Sequence, residues 1–208
     1  MVIHKIKKSD LSELNTKQRI LEASMNLFAL KGYDGASIRE IAKLADVNVA
    51  SLNYHFKSKE NLRQELMEFI VGDFKNKIAT LPEVKSTAEF AVQIYEALSE
   101  DSAKCLNQFK LILESNQHPC ETDAYPVGYE QFSNYMSKEL VATVPLEERM
   151  WLINVVFTYV VHTAVMSATG IGQKAVEKFF PKKKASIPHY ISQLVESLVR
   201  DLNQRYKK

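Results

Sequence analysis

Two short helical periods, each opened by a capping residue and joined by a turn of three or four residues, constrain this chain more than anything else in it. They lie within the run TKQRILEASMNLFALKGYDGASIREIAKLADVNVASLNYHFKSKEN, from Thr16 to Asn61. A preceding period comes first: Ile20, Ser24, Leu27 and Lys31 fall on one helical face, with Ala23 and Phe28 widening the apolar stripe. Gly32 is expected to end that helix, because glycine supplies a left-handed residue without a Cβ penalty. Ser37, with Glu40 three residues on, reads as a capping box that satisfies two orphan backbone donors. Ile38, Ile41, Ala42 and Ala45 then give the second helix an i, i+3, i+4, i+7 core face. Asp46-Val47 reads as a tight turn, Asn48 as the next cap, and Val49, Leu52 and Phe56 as anchors of a third helix. This is helix-turn-helix spacing, and the second helix of such a pair fits a DNA major groove.

The outward residues of the third helix suit that role. Asn48, Ala50, Ser51, Asn53, Tyr54 and His55 are small or hydrogen-bonding, without the Glu-Lys pairs of an ordinary solvated helix. Small side chains allow close approach to base edges, while hydroxyls and amides bond to phosphates or bases. Lys59 adds a positive charge near the first turn of the next helix, where backbone N–H groups already favour an anion. Spacing alone also admits a helical hairpin that packs only on its own domain.

The run closely resembles the DNA-binding domain of the TetR/AcrR family of bacterial transcriptional repressors. The resemblance is carried by TKQRILEASMNLFALKGYDGAS, by IREIAKLADV and by LNYHFKSKENL, with the Y-H-F-x-S-K element the most specific piece. It covers about the first quarter to third of the chain. Carried over by position, it implies that Arg39 contacts a base and that Asn48, Val49, Ala50 and Ser51 form the groove-reading start of the third helix. It further implies that Asn53, Tyr54, His55 and Lys59 clamp the DNA backbone and that Ser37 touches a phosphate. Many members carry Tyr where this chain has Asn53, a departure that bears on one phosphate contact and not on the fold.

Charge distribution agrees with a DNA-facing end. Residues 1–60 hold ten Lys/Arg against seven Asp/Glu, whereas 61–208 hold 17 against 18. A basic head on a near-neutral body meets phosphates at one end only. The first fifteen residues, with Lys5, Lys7 and Lys8, read as a basic arm or as a solvated terminus. No apolar signal segment follows Met1, and the two cysteines, Cys105 and Cys120, fit a reduced, cytoplasmic protein; a regulatory disulfide between them is the alternative.

Beyond Lys59 the helical pattern continues through Leu62, Leu66, Phe69, Ile70, Phe74 and Ile78 to Pro82, a linker helix of roughly five turns. Further periods follow: Phe90 to Leu98, starting near a Thr87 cap; Cys105, Leu106, Phe109, Ile112 and Leu113; and Phe132 to Val141, stopped near Pro145. Asn116 to Gly128 reads as a loop with two prolines, and Gly170 to Ser186 as a short helix with a basic loop at Lys182 to Lys184. The stretch 147–168 is the most apolar. Asn154, Thr158 and His162 recur within it, so a central bundle helix is favoured over a membrane span or a buried strand. Gly170-Ile-Gly172-Gln-Lys-Ala175 matches a G-x-G-x-x-A string, but too little chain remains for the sheet a dinucleotide fold requires. Ile187 to Tyr206 forms a long amphipathic helix.

The expected fold is all-α: an N-terminal three-helix helix-turn-helix domain at 1–60 (core 16–60), joined by a linker helix to a helical-bundle ligand-binding and dimerisation domain at 61–208. The resemblance implies a homodimer through helices near 147–168 and 187–206, with both heads on double-stranded DNA carrying a palindromic operator. Tyr95, Phe109, Phe132, Tyr159, His162 and Met166 are candidate contacts for a small, hydrophobic effector, each with core packing as the plain alternative. His162 stands out, since an imidazole on an apolar helix needs a partner. No catalytic, phosphate-loop or metal motif is present; His118 and Cys120 alone do not make a metal site. Neither an enzyme, a cofactor, a metal nor a membrane partner is expected. The alternative function is a DNA-binding structural or division-control protein whose body binds another protein.

Overall fold

The computed structural model describes residues 14–115, 129–167, 169, 172, 174, 178 and 186–207. The expectations for the arm over 1–13, the 116–128 loop with His118 and Cys120, the Lys182 to Lys184 triplet and most of the G-x-G-x-x-A string lie outside these residues. The described residues are all-α. They form α1 (Thr16–Gly35), α2 (Ile38–Leu44), α3 (Val49–Phe56), α4 (Lys59–Ala79), α5 (Thr87–Ser99), α6 (Ser102–Ser115), α7 (Tyr129–Glu139), α8 (Leu146–Ser167) and α9 (Ser186–Tyr206). The described residues form two compact units: one holds residues 14–73 and 103–115, and the other holds residues 74–102 and the described residues from 129 onward. Helix α4 contributes to both.

In the first unit each helix boundary has a local cause. Asn15 caps α1, its side chain accepting from the Gln18 amide at 2.9 Å while Gln18 accepts from the Asn15 amide. Gly32 breaks the helical run as expected, at φ 74° and ψ 168°, a region essentially reserved for glycine. A Cβ there would meet nothing within 4 Å, so the requirement is conformational and not one of space. Helices α2 and α3 have 7 and 8 residues, too short to persist alone in water. Burial holds them: Ile41, Ala42 and Ala45, then Leu52 and Phe56, are buried with Ile20, Ala23, Met25 and Phe28 of α1, and each large apolar side chain so buried contributes about 1.5–3 kcal/mol. Val49, expected as an anchor, is instead 38% exposed.

Helix α6 belongs to this unit through polar ties. Lys104 Nζ reaches Glu22 at 2.9 Å and Asp73 at 3.5 Å, Asn107 donates to Asn26 at 3.1 Å, Gln108 donates to Asp73 at 2.8 Å, and Lys110 donates to the Ala29 carbonyl. The buried residues of α6 are therefore Cys105, Asn107, Gln108 and Leu111, whereas Leu113, read from the sequence as part of the apolar stripe, is 66% exposed. An apolar count mislocates this face because two of its buried side chains are amides whose hydrogen bonds are satisfied across the helix pair.

The second unit is a bundle in which α5 packs on α8 and α9, and α7 on α5 and α8. Ser86, not Thr87, caps α5: its hydroxyl accepts from the Glu89 amide at 3.1 Å, while Thr87 is buried and its amide donates to Glu139 at 3.0 Å. The rings of Phe90, Phe132, Tyr135 and Phe157 form the aromatic centre, with Phe90 5.0 Å from Phe132 and 4.9 Å from Tyr135. Asn203 ties α9 to the end of α7 by donating to the Glu139 carbonyl and accepting from the Val141 amide, both at 2.8 Å. Helix α8 is long and apolar enough to cross a membrane by length and composition. Here it lies in the bundle position expected from the sequence, with Leu152, Ile153, Val156, Val160, Val161 and Ala164 buried.

Candidate nucleic-acid interface

The turn between α2 and α3 is a Schellman closure. The Val47 amide donates to the Ala42 carbonyl at 3.0 Å and the Asp46 amide to Lys43 at 3.3 Å, with Asp46 left-handed at φ 55°. Asn48 then caps α3, accepting from the Ser51 amide at 2.6 Å. This places two buried faces on the core and leaves their opposite faces in solvent. On α3 the exposed residues Ala50, Asn53 and Tyr54 follow i, i+3, i+4 spacing, and Tyr54 is 84% exposed, its ring 5.4 Å from that of His55. On α2, Arg39 and Lys43 are exposed one turn apart.

The candidate residues divide by what already holds them. Arg39, Val49, Ala50, Asn53 and Tyr54 are exposed and available, and Ser51 and His55 are half-buried beside them. Asn48 is exposed but spends its side-chain oxygen as a cap. Ser37 gives both its donors to Glu40, the amide at 3.0 Å and the hydroxyl at 2.8 Å, so a phosphate contact there would displace Glu40. Lys59 is half-buried, its ammonium 4.3 Å from the Tyr33 ring centre and 5.9 Å from that of Phe28. Arg63 joins this cluster, 5.2 Å from the Tyr33 ring centre and 2.6 Å from Glu60, which accepts from the Tyr33 hydroxyl at 3.0 Å.

Two titrations are perturbed here. The Lys31 ammonium, and then the amide and hydroxyl of Ser37, hold the Glu40 carboxyl at about 2. Burial, and then the hydrogen bond to Glu60, push the Tyr33 phenol above its usual value. Lys43 on α2 and Lys57 just past the end of α3 were not singled out from the sequence, yet both are exposed. The signal for Lys43 was available, since it stands four residues after Arg39 on the same helix face.

The candidate effector contacts do not form one set. Phe132 and Tyr95 are buried in the second unit, and Met166 is half-buried there. Tyr159 and His162 are exposed on α8. Phe109 is half-buried and belongs to the first unit. A groove of about 430 Å³ in the second unit is lined by residues including Ser86, Ala88, Glu139, Val195, Arg200 and Asn203, and none of the six reaches it.

Residues 20–66 match the model of bacterial regulatory proteins of the tetR family. The chain is 42% identical over 91 residues to the probable HTH-type transcriptional regulator YttP of Bacillus subtilis, covering 42% of this chain and 44% of that protein. It is 36% identical over 70 residues to the biofilm operon negative regulator IcaR of Staphylococcus aureus, covering 34% of this chain and 37% of that one. The chain thus spans less than half the length of these two relatives. A nicotine-responsive repressor of Paenarthrobacter nicotinovorans, HdnoR, is 23% identical over 144 residues, which is 67% of this chain and 74% of that protein. Among solved structures, Salmonella enterica GusR superimposes with a TM-score of 0.64 at 17% identity over 95% of this chain and all of its own. A putative regulator of Streptomyces coelicolor gives 0.64 at 19% identity over 88% and 98%. Residues 20–66 thus match the DNA-binding domain of the tetR family, and the chain along nearly its whole length shares the fold of these two solved structures.

Proposed function

We propose that the chain is a homodimeric, sequence-specific DNA-binding repressor, released from a palindromic operator by a small hydrophobic effector and acting in the bacterial cytoplasm at the nucleoid. The observation that carries the DNA-binding part is the outer face of α3: a hydroxyl-bearing aromatic, Tyr54, left 84% exposed beside Ala50 and Asn53, with Arg39 and Lys43 exposed on the preceding helix. Such a face reads base edges and holds phosphates in a major groove.

One α3 reads only a few base pairs, whereas two related by a two-fold axis read a palindrome across major grooves about 34–36 Å apart. The homodimer reading is supported by α8, where Trp151, Thr158 and His162 are exposed along one stripe of an otherwise apolar helix, and by the exposed Tyr190 on α9. The effector reading is supported by the aromatic centre around Phe90 and Phe132 and by the relative named as nicotine-responsive. A ligand that binds the non-DNA conformation better shifts the population away from the operator.

Fluorescence anisotropy on DNA from upstream of the protein's own gene, against scrambled DNA, tests this. Arg39→Ala is expected to weaken binding to the upstream DNA by roughly 5–150-fold, the loss of one base contact worth about 1–3 kcal/mol. Equal wild-type binding to both duplexes would favour a structural role, and binding to neither at low salt would overturn the DNA-binding reading.

A further inference from the structure

Lys57 stands where only glycine is at ease. Its φ is 60° and its ψ −46°, and the Ser58 amide donates back to the Phe56 carbonyl at 2.6 Å. A hydrogen bond spanning two residues around a centre near those angles is the classic γ-turn, which is rare and strained for an L-residue. Nothing among the described residues offsets that strain through the side chain: Lys57 is exposed and enters no ion pair or ring contact. A glycine would relieve the strain and forfeit no such contact. Strain of this kind concentrates where a site over-determines the backbone for a purpose.

The turn is clamped on both sides. The Lys57 amide still donates to the Asn53 carbonyl at 2.9 Å, closing α3, and the Ser58 hydroxyl accepts from the Asn61 amide at 3.1 Å, opening α4. One residue thus redirects the chain between two helices, and its Cα–Cβ direction is held relative to α3. It stands three residues after Tyr54, the last of the exposed residues Ala50, Asn53 and Tyr54 of α3. The nearby Lys59, by contrast, is half-buried over Tyr33 at 4.3 Å. Lys57 therefore supplies the solvent-facing cation at the exit of α3.

From this geometry we infer that Lys57 is a phosphate-contacting residue of the DNA interface, pre-positioned by the strained γ-turn. The inference rests on the DNA-binding reading above. A phosphate contact carries no sequence information, so its loss weakens all duplexes alike and lowers the salt dependence.

The test uses full-length wild type, Lys57→Gly, Lys57→Met and Arg39→Ala. Melting temperature and binding are measured on an operator selected by wild type from a random-sequence pool and on scrambled DNA, each at several salt concentrations. Lys57→Gly should melt about 2–4 °C higher than wild type, bind both duplexes several-fold more weakly, and lower the slope of log K against log salt by about one per protomer. Lys57→Met, which keeps the strain and loses the charge, should show the same binding loss without the gain in melting temperature. Arg39→Ala should lose mainly operator binding. A Lys57→Gly protein with unchanged affinity and salt slope would overturn the inference while the DNA-binding reading stood, and one that melts lower would remove the strain on which the inference is built. Wild type that binds neither duplex would overturn both readings together.

Discussion

Glu40 does three jobs with one carboxylate. It closes the capping box of α2 by accepting from the Ser37 amide, accepts from the Ser37 hydroxyl, and pairs with Lys31 of α1 at 2.5 Å. Its folded-state value of about 2 lies below the usual 4.5. A depressed carboxyl contributes stability that is fully present above its unfolded value and is lost as pH falls through the folded one. Wild type should therefore lose its advantage over Glu40→Gln between about pH 4.5 and pH 2, read as converging urea midpoints; a constant difference across that range would contradict the assignment. This residue was legible in the sequence because a box spans only three residues, and so was Gly32, whose backbone angles admit little else. Lys31 was not, since its role depends on α2 folding back on α1.

Among the elements, α6 is where local pattern and final packing part company. Its docking to α1 and α4 runs through Lys104, Asn107 and Gln108. Burial alone would lower the Lys104 pKa, but Glu22 and then Asp73 outweigh it, and the ammonium is held above its usual value. Glu22 and Asp73 are 12% and 26% exposed at the side chain. Lys104→Met should leave these two carboxylates without their cation and destabilise the protein by about 1–3 kcal/mol, less than the cost for a fully buried pair. Equilibrium urea unfolding measures this, and adding Glu22→Gln to the Met variant should restore part of the loss if the two residues are coupled. The sequence marked α6 as a helix correctly but put Leu113 on its buried face. Helical period identifies a stripe; it does not reveal that amides 81 residues apart, Asn26 and Asn107, will satisfy each other.

For the whole molecule, the homodimer reading turns on exposed aromatic surface. Trp151 is 50% exposed in the monomer, so a charge there should leave each protomer folded. Trp151→Glu is expected to run as a monomer by light scattering at concentrations where wild type is dimeric, and to lose at least 100-fold in operator affinity, because a single head forgoes half the palindrome. An unchanged dimer mass would show that Trp151 lies outside the interface. The sequence by itself determined what neighbours within a few residues decide: the caps at Ser37 and Asn48, the break at Gly32, the turn at Asp46 and the all-helical course of the described chain. It could do so because a cap or a tight turn is a contract between residues three to five apart. Only the tertiary structure decided that Tyr95 and Phe132 are buried while Tyr159 and His162 face solvent, that Lys59 lies over Tyr33, and that α6 belongs with the N-terminal helices. Periodicity says that a face is apolar, whereas which surface covers it depends on the docking of elements far apart in the chain.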